Sequence, residues 1–375
     1  MKILFTGGGS GGHFYPIIAV AQALNDLQKE KHIIKPTLYY MAPEPYNEGL
    51  LFDNDINFKR VSSGKLRRYF SLLNFSDIFK TIWGMVKALW IMFYIYPDVV
   101  FSKGGYGSFP AVFAARILRI PVIIHESDSI PGKTNVWSGK FAKRIAVSWP
   151  GATEYFKQEK VALTGNPIRK NLLSAPEDGA REFLKLENGL PSVLVLGGSL
   201  GAQKINDLII ESLPELVKFC QIIHQTGKNN YLDVESRSRA VLYDSENKHR
   251  YKPFDYLNDE AMKMAAGATD LIISRAGSTI FEIANWGKPS IIIPITNSNG
   301  GHQKKNAYEY ARSGACIVIE ESNLSGSILI LEIKKLLSDK NRSEVMAKAA
   351  GNFAKKDAAK IIAEEILNLA LEHEK

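Results

Sequence analysis

A glycine-rich turn at the start of the chain constrains the fold more than any other feature. Five glycines and one serine, G-G-G-S-G-G at residues 7–12, follow the apolar run 3–5 directly, and His13 comes next. Glycine reaches positive φ and lets the backbone approach a ligand, and a helix predicted over about 16–27 would point its N–H groups at an anion. The pattern predicts a strand, a phosphate-binding turn and a helix in succession.

The same pattern occurs again near the middle of the chain. The apolar run 192–196 is followed by G-G-S-L-G-A at 197–202, and a helix is predicted to begin near Asn206. One G-x-G-x-x-G match is weak, since such turns also form purely structural corners. Two copies, the first glycine turn (7–12) and the second glycine turn (197–202), predict two Rossmann-like halves.

Predicted strands alternate with predicted helices on both sides of a turn-rich segment at 164–169. Such alternation is typical of a parallel sheet covered by helices on both faces. The sequence therefore predicts an α/β protein with two doubly wound domains, 1–165 and 166–349, and a final helical stretch, 350–375, that can pack back on the first. The predicted strands are 3–6, 37–41, 99–102, 122–125 and 144–148, then 193–196, 221–225, 271–274, 290–294 and 316–319.

Composition narrows the possible partners. The 375 residues carry a net charge of +8, which favours an acidic partner such as nucleic acid, an anionic lipid surface or a phosphorylated substrate. No long Lys/Arg run or nucleic-acid motif occurs, so we expect no nucleic acid. The two cysteines, Cys220 and Cys316, have no spacing typical of a disulfide framework, a zinc site or a redox pair. No signal peptide is expected, and the longest uncharged run of the most apolar region, 88–97, falls short of the ~20 residues of a membrane span.

Several motifs follow one another along the chain: GGSGGH at 8–13, GGY at 104–106, HE at 125–126 with G-x-x-N at 132–135, GNPIR at 165–169, GGS-x-GA at 197–202, and SRAG at 274–277 with Glu282. Together they resemble the MurG family of peptidoglycan glycosyltransferases. The resemblance implies a GT-B fold, with two Rossmann-like domains facing a cleft that holds the donor. It also implies inverting transfer of N-acetylglucosamine from UDP-N-acetylglucosamine to lipid I, undecaprenyl-pyrophosphoryl-MurNAc-pentapeptide, which gives lipid II without a cofactor or a metal.

Two residues are candidates for the general base that such a transfer needs. His13 follows the first glycine turn at a predicted helix N-terminus, where positive potential would keep the imidazole neutral. Glu126, at a strand end beside His125, is a rival base, an orienting partner or only a hydrogen-bond anchor. A D-x-D sequence at 53–55 resembles a metal motif, but it is expected to be a solvated loop.

The remaining candidate residues bind substrate. The first glycine turn is assigned to the acceptor side, and the second to the donor diphosphate, with Arg169 either a further donor to it or part of a hinge salt bridge. The resemblance implies that Glu282 binds the ribose, that Asp128 and Gln303 contact the donor sugar, and that uracil is bound by backbone near Leu257. A loop at 278–281 looks one residue shorter than the family pattern. The full set of expected substrate-binding residues is Ser10, Gly11, Gly12, Asp128, Asn135, Arg169, Ser199, Leu257, Ser278, Thr279, Glu282 and Gln303.

An aromatic segment offers a surface for a lipid-linked acceptor. Apolar residues at helical spacing around Trp83 cover two faces of a predicted helix, one more than a core needs. Together with Lys65, Arg67 and Arg68 they resemble a patch for anionic lipid, although a helix buried on both faces is the alternative. The patch and the resemblance predict a peripheral enzyme on the cytoplasmic face of the bacterial plasma membrane.

The sequence leaves three alternative functions open. Another GT-B enzyme acting on a UDP-sugar, such as a diacylglycerol glycosyltransferase or an epimerase, would share the motifs of the second half. An NAD-dependent oxidoreductase would explain the first glycine turn, with Glu44 as the ribose-binding acid, but it leaves the second turn without a role. A nonenzymatic nucleotide sensor at the membrane would leave His13 and Glu126 without a role.

Overall fold

The computed structural model describes residues 1–64, 73–198, 201–296 and 301–373, and it divides into two compact units. The first unit comprises Met1–Lys170 and Lys355–Lys375, and the second comprises Asn171–Ala354. The expected boundary lay at 165/166, so the first unit retains five further residues, 166–170. The side chains of 73–76 and 373 are outside the description.

A seven-stranded parallel sheet forms the first unit. Its spatial order is β3-β2-β1-β4-β5-β6-β7, so the order of the strands reverses between β1 and β4. The strands are β1 Lys2–Thr6, β2 Thr37–Ala42, β3 Ile56–Arg60, β4 Val99–Ser102, β5 Val122–Glu126, β6 Arg144–Val147 and β7 Val161–Leu163, and the helices are α1 Gly11–Glu30, α2 Glu48–Asp53, α3 Leu73–Ile95, α4 Phe109–Ile117 and α5 Lys133–Gly139.

The second unit repeats the plan with six parallel strands. Their order is β10-β9-β8-β11-β12-β13, and it reverses between β8 and β11. The strands are β8 Ser192–Leu196, β9 Gln221–Gln225, β10 Tyr251–Phe254, β11 Leu271–Ser274, β12 Ser290–Ile292 and β13 Cys316–Val318, and the helices are α6 Ala180–Phe183, α7 Gln203–Leu216, α8 Tyr231–Val241, α9 Asp259–Ala268, α10 Thr279–Trp286, α11 His302–Ala311, α12 Gly326–Ser338 and α13 Lys340–Phe353. The fold class predicted from the sequence, two Rossmann-like α/β domains, is confirmed.

The last helix, α14 (Ala358–His373), belongs to the first unit. It packs along α1, and its residues Ile362, Ile366 and Leu367 lie in the same apolar core as Ile17 and Leu24 of α1. The chain therefore completes its first core only with its last helix.

The sequence missed three strands, β3, β7 and β10. Each lies at an edge of its sheet, where one side has no neighbouring strand. The side chains of an edge strand need not be as apolar as those of a central strand. Strand β3 has such a mixed composition, with the sequence I-N-F-K-R at 56–60. Central strands, which are buried on both faces, were found because they are continuous apolar runs.

Two local expectations were wrong. Helix α1 begins at Gly11 rather than near Pro16, since a proline close to the terminus removes only one intrahelical hydrogen bond. The D-x-D segment is not simply a solvated loop. Asp53 ends α2, Asn54 is buried and donates to the carbonyl of Leu50, and only the two aspartates are exposed.

Candidate active site

Two glycine-containing loops meet at the strand reversal of the first unit. The first glycine turn follows β1, and residues 104–107 follow the neighbouring strand β4. A Cβ on Gly105, whose φ is 81°, would lie 2.9 Å from the Cα of Gly8, and one on Gly107 would lie 2.7 Å from the carbonyl oxygen of Gly7. Only glycine permits this contact between backbones. Ligands of open parallel sheets bind at this type of position, beyond the carboxyl ends of strands whose order reverses.

His13 lies in the first turn of α1, at the junction of these loops. Its Nδ1 is 2.7 Å from the Oγ of Ser10, and its ring lies against Gly8 and Gly105. Ser10 occupies the N-cap position but makes no side-chain cap to the backbone, since its hydroxyl is turned to His13. Burial, followed by the charge of Lys103, lowers the pKa of His13 to about 4. The imidazole is neutral at pH 7, and burial rather than the helix dipole is the first cause.

Glu126, the last residue of β5, is a buried carboxylate with three hydrogen-bond donors. Its Oε1 accepts from the backbone N–H of Asp128 at 2.9 Å, and its Oε2 accepts from the N–H of Gly132 and from Nδ2 of Asn135, both at 2.9 Å. Burial raises the pKa of Glu126, with the charge of Asp128 second. Of the roles left open by the sequence, this geometry favours the hydrogen-bond anchor, because the carboxylate organises the 127–132 loop.

Asn135 and Asp128 lie on either side of that anchor. Asn135 is buried in α5, donates also to the carbonyl of His125 at 3.1 Å, and packs against Gly104, where a Cβ would lie 2.6 Å from its Oδ1. Among the described residues its Oδ1 has no hydrogen-bond partner. Asp128 is partly exposed on the loop that Glu126 organises.

Lys103, which the sequence reasoning missed, is a buried cation directly after β4. Its Nζ lies 2.6 Å from Nδ1 of His125 and 3.4 Å from Oδ1 of Asn166. Burial lowers its pKa to about 7, and the carboxylates of Glu126 and Asp128 oppose that shift. A lysine between an apolar strand and a glycine pair was the signal that could have revealed it.

Arg169 lies in the first unit, although the expected boundary placed it in the second domain. Its guanidinium carbon is 4.0 Å from the ring centroid of Tyr15, two residues after His13, and only 7% of the residue is exposed. An arginine stacked in this way is held in one orientation, with its planar set of donors fixed.

The second glycine turn lies at the strand reversal of the second unit, after β8. A Cβ on Gly201, whose φ is 76°, would lie 2.3 Å from the carbonyl oxygen of Thr226, so glycine is required there. Helix α7 begins at Gln203, and no side chain caps its N-terminus in the described part of the chain. An uncapped helix terminus behind a glycine turn suits an anion. Ser199, expected on this turn, lies outside the described residues.

A second loop of the same unit follows β11, on the other side of the reversal. Ser278 is the N-cap of α10, Thr279 is its first residue, and Glu282 lies in its first turn. Nδ2 of Asn306 donates to the carbonyl of Ala276 at 3.1 Å and fixes the loop in place. Three of the expected nucleotide-binding residues are therefore grouped at the start of one helix.

A buried ion pair, also missed from the sequence, supports this loop. Nη1 of Arg275 lies 2.7 Å from Oε1 of Glu321, and Oε2 of Glu321 accepts from the N–H and hydroxyl of Thr296 at 3.1 and 2.9 Å and from Lys204 at 3.2 Å. Burial raises the pKa of Glu321, but these hydrogen bonds outweigh it and bring the pKa to about 2. Because Glu321 follows Arg275 by 46 positions, no local pattern predicts the pair.

Glutamine side chains hold two further candidate segments of the second unit. The N–H of Leu257 donates to Oε1 of Gln225, at the end of β9, at 3.0 Å, and the Nε2 of Gln225 is 3.5 Å from the carbonyl of Gly198. Oε1 of Gln303 accepts from the N–H of Ile295 at 3.1 Å. Gln225, which the sequence reasoning missed, thus links the second glycine turn to the segment expected to bind uracil.

The candidate residues form two groups, each at the carboxyl edge of its own sheet. The group in the first unit is Ser10, Gly11, Gly12, His13, Glu126, Asp128, Asn135 and Arg169, and the group in the second unit is Leu257, Ser278, Thr279, Glu282 and Gln303. In the described residues, no set of three or more His, Cys, Asp or Glu side chains is arranged to hold a metal ion.

Both units match models of a known protein family. Residues 3–147 match the model of the glycosyltransferase family 28 N-terminal domain, and residues 192–362 match that of the family 28 C-terminal domain. Two curated relatives carry the name UDP-N-acetylglucosamine--N-acetylmuramyl-(pentapeptide) pyrophosphoryl-undecaprenol N-acetylglucosamine transferase. That of Clostridium kluyveri is 39% identical over 338 residues, 89% of this chain and 91% of its own, and that of Treponema denticola is 35% identical over 96% of each.

Solved structures share the fold. MurG of Acinetobacter baumannii superposes with a TM-score of 0.72 at 24% identity, over 98% of this chain and 99% of its own. A putative UDP-N-acetylglucosamine 2-epimerase from Listeria monocytogenes gives a TM-score of 0.69 at 16% identity, over 99% of this chain and 97% of its own. At these identities the likeness establishes a common fold and does not distinguish the two activities.

Proposed function

The chain belongs to glycosyltransferase family 28, and we propose on that premise that it is the N-acetylglucosaminyltransferase that makes lipid II. It transfers N-acetylglucosamine from UDP-N-acetylglucosamine to undecaprenyl-pyrophosphoryl-MurNAc-pentapeptide. The observation that carries this function is the identity of 35–39% to transferases of that name, which extends over 89% or more of the chain. The family-model matches over 3–147 and 192–362 include both glycine turns and every candidate residue except Arg169.

The chemistry is a displacement at the anomeric carbon of the donor sugar. A hydroxyl of the muramyl acceptor attacks that carbon, the bond to the diphosphate oxygen breaks, and UDP leaves with the bonding electrons. His13 accepts the proton of the hydroxyl. With Nδ1–H donating to the Oγ of Ser10, Nε2 keeps the lone pair that a base needs. One displacement inverts the anomeric configuration.

Charge that develops on the departing diphosphate requires fixed positive partners. We assign this role to the second glycine turn with Ser199, to the N-terminus of α7, and to the guanidinium of Arg169. Glu282 accepts from the ribose hydroxyls, because a carboxylate can bind both oxygens of a diol. Ser278 and Thr279 line the nucleotide loop, and backbone near Leu257 binds uracil.

Contacts to the donor sugar and to the acceptor complete the assignment. Asp128 and Gln303 bind the sugar hydroxyls. The first glycine turn, with Ser10, Gly11 and Gly12, lies beside the acceptor, and Asn135 offers the buried Oδ1 that has no partner among the described residues. Glu126 keeps its anchoring role.

A turnover assay tests this function. Labelled UDP-N-acetylglucosamine is incubated with purified lipid I, and parallel reactions contain diacylglycerol as the acceptor or no acceptor. We expect labelled lipid II and released UDP only with lipid I. Transfer to diacylglycerol alone would refute the assignment, and conversion of the donor to its 2-epimer without an acceptor would identify an epimerase, the alternative that shares the fold.

Helix α3 supplies a surface for the lipid end of the acceptor. By length and composition alone, Asp77–Ile95 is the one helix in the described residues that could cross a membrane. One face packs on the first unit through Ala88 and Met92, both fully buried, and through Gly84 against the backbone of Ser62. The other face exposes large apolar side chains, namely Ile78, Phe79, Ile82, Trp83, Val86, Trp90, Phe93 and Tyr94.

Such a helix, fixed on one side and apolar on the other, fits an interfacial position on the membrane better than a span. We therefore assign the enzyme to peripheral association with the cytoplasmic face of the plasma membrane, with α3 in contact with lipid. Lys65, Arg67 and Arg68, the basic residues expected beside this face, lie outside the described residues. Charge reversal at these three positions should weaken sedimentation with anionic vesicles, and unchanged sedimentation would remove them from the patch.

A further inference from the structure

Lys103 is a buried cation to which the transfer chemistry gives no task. Its side chain is 1% exposed, and its backbone N–H donates to the carbonyl of Thr6 at 2.9 Å, which fixes it between β1 and β4. In the described part of the chain it forms no ion pair with a carboxylate. A buried charge without such a partner is costly, so a fold that keeps one gives reason to look for a function.

The hydrogen bonds around Lys103 have a defined direction. Nε2 of His125 lies 2.9 Å from the carbonyl oxygen of Gly165, which can only accept, so Nε2 carries the proton. In the neutral ring Nδ1 is then an acceptor, and Nζ of Lys103 donates to it at 2.6 Å. Burial and the charge of Lys103 lower the pKa of His125, which keeps that ring neutral. Lys103 and His125 thereby join the ends of β4 and β5 to Gly165 and Asn166.

The segment held in this way leads to Arg169. Residues 165–169 run from the carbonyl that His125 binds to the guanidinium stacked on Tyr15 of α1. Gly165 has a φ of 84°, and a Cβ there would lie 2.4 Å from the Cβ of Lys355, so the segment has little room to shift. Loss of the bond from Lys103 to Asn166 would remove one of the contacts that fix a short segment whose other end carries a proposed diphosphate ligand.

Lys103 also acts on the proposed base through its charge. That charge is the second cause, after burial, of the lowered pKa of His13. The ionisable groups that face Lys103 are His13 from α1, His125 and Glu126 from β5, and Asp128 from the following loop. The two carboxylates favour the charged lysine, and the two imidazoles remain neutral beside it.

We propose that Lys103 is a positioning residue of the transfer reaction: it helps to hold the 165–169 segment in place, and its charge disfavours protonation of His13. The proposal rests on the proposed function, because it gives Arg169 and His13 their tasks. It adds a residue that touches neither substrate and acts only through its neighbours.

The variants Lys103→Met and Lys103→Arg, with Lys143→Met as a control, test this role. Methionine keeps the shape of the stem without the charge, and Lys143 is an exposed lysine of the same unit. For Lys103→Met we expect kcat/KM for UDP-N-acetylglucosamine to fall ~10- to 100-fold, as for other losses of precise positioning. The acid limb of its pH profile should move up by ~0.5–1 pH unit, because His13 loses a nearby positive charge. Lys103→Arg keeps the wild-type acid limb.

Two further measurements separate positioning from a structural role. Hydrogen–deuterium exchange of peptides that contain 165–169 should become faster in Lys103→Met and not in Lys143→Met. The melting temperature of Lys103→Met at pH 6 should equal or exceed that of the wild type, because the variant no longer buries a charge.

The pH dependence of that stability difference has a definite sign. The folded protein lowers the pKa of Lys103 from 10.5 to about 7, so between these values the unfolded chain binds more protons than the folded one. The wild type therefore gains stability relative to Lys103→Met as the pH rises from about 7 towards 10.5, and the variant has its largest advantage below pH 7.

Two outcomes would overturn the proposal. One is a Lys103→Met enzyme with wild-type turnover and an unchanged acid limb. The other is a loss of turnover matched by an equal loss of folded protein, which would make Lys103 merely structural. Failure of the proposed function looks different: the wild type itself would transfer to another acceptor, and the same comparison of variants would then be made on that acceptor.

Discussion

His13 is the residue on which the proposed transfer depends most directly. His13→Ala should lower kcat by ~10²–10⁴-fold, the usual contribution of a general base, while the affinity for UDP-N-acetylglucosamine changes little. A turnover assay measures the fall in kcat, and calorimetric titration with UDP-N-acetylglucosamine shows whether the affinity for the donor is retained. The control is His32→Asn. His32 is exposed, and its φ of 51° is a backbone conformation that asparagine tolerates.

The pH profile gives a second test of the same residue. A base must be unprotonated, so kcat/KM falls as the pH falls through its pKa, here about 4. We expect the acid limb well below the ordinary value of 6.5, and activity that does not decline between pH 7 and pH 6. An acid limb near 6.5 that persists in His13→Gln would assign the base to another group.

Glu126 shows why a residue type does not define a role. From the sequence it could be a rival base to His13, an orienting partner or only a hydrogen-bond anchor, because a carboxylate at a predicted strand end suits all three roles. Its two oxygens accept three hydrogen bonds, from the backbone of the 127–132 loop and from Asn135. This was not predictable from the sequence, because it depends on the path by which that loop comes back to the end of β5. A buried carboxylate with donors on both oxygens is poorly placed to take a proton from a substrate.

At the scale of elements, the contact between the loops after β1 and β4 sets the geometry of the first group. Gly105→Ala places a Cβ 2.9 Å from the Cα of Gly8 at φ 81° and ψ 168°, a backbone region essentially restricted to glycine, which costs ~1–3 kcal/mol for the backbone alone. We expect a lower midpoint in urea and a loss of turnover, since the first glycine turn must move. Gly132→Ala, with a φ of −66° and no atom within 4 Å of the added methyl, should be neutral or slightly stabilising. Equal effects at both positions would contradict the contact.

Helix α3 makes a separate prediction at this scale. Trp90 is 64% exposed and stacks on Tyr94, so burying it in lipid is worth ~1.5–3 kcal/mol. Trp90→Glu should reduce binding to anionic vesicles about tenfold or more, while turnover on lipid I in detergent is unchanged. Tyr243→Glu replaces an aromatic residue of the second unit that is 78% exposed, and it should leave vesicle binding intact. A similar loss in both variants would show that added negative charge, and not α3, is responsible.

For the whole molecule, the return of the chain to its first unit is the decisive feature. Ile362, Ile366 and Leu367 of α14 are buried against α1, and full burial of each is worth ~1.5–3 kcal/mol. Their sum is comparable to the total stability of a domain, about 5–15 kcal/mol. A chain that ends at residue 354 should therefore lose the first unit and keep the second, which limited proteolysis with mass spectrometry would show.

A matched pair of substitutions tests the same contact in the full chain. Ile366→Asp buries a charge in the first core, whereas Leu371→Asp changes a residue of the same helix that is 45% exposed. We expect early unfolding of the first unit only for Ile366→Asp. Retention of a protease-resistant first unit in the truncated chain would mean that α14 is dispensable.

Sequence by itself determined what is local and periodic. The central strands could be predicted from the sequence because burial on both faces makes them continuous apolar runs. The glycine turns could be predicted because close backbone contact excludes a Cβ. Tertiary structure alone decided which distant residues meet. Lys103 contacts His125 and Asn166, 22 and 63 positions away, Arg275 pairs with Glu321, and α14 completes a core begun by α1. Such partners leave no periodic trace, since a buried charge is stabilised by whatever the fold brings within hydrogen-bond distance and not by its neighbours in the chain.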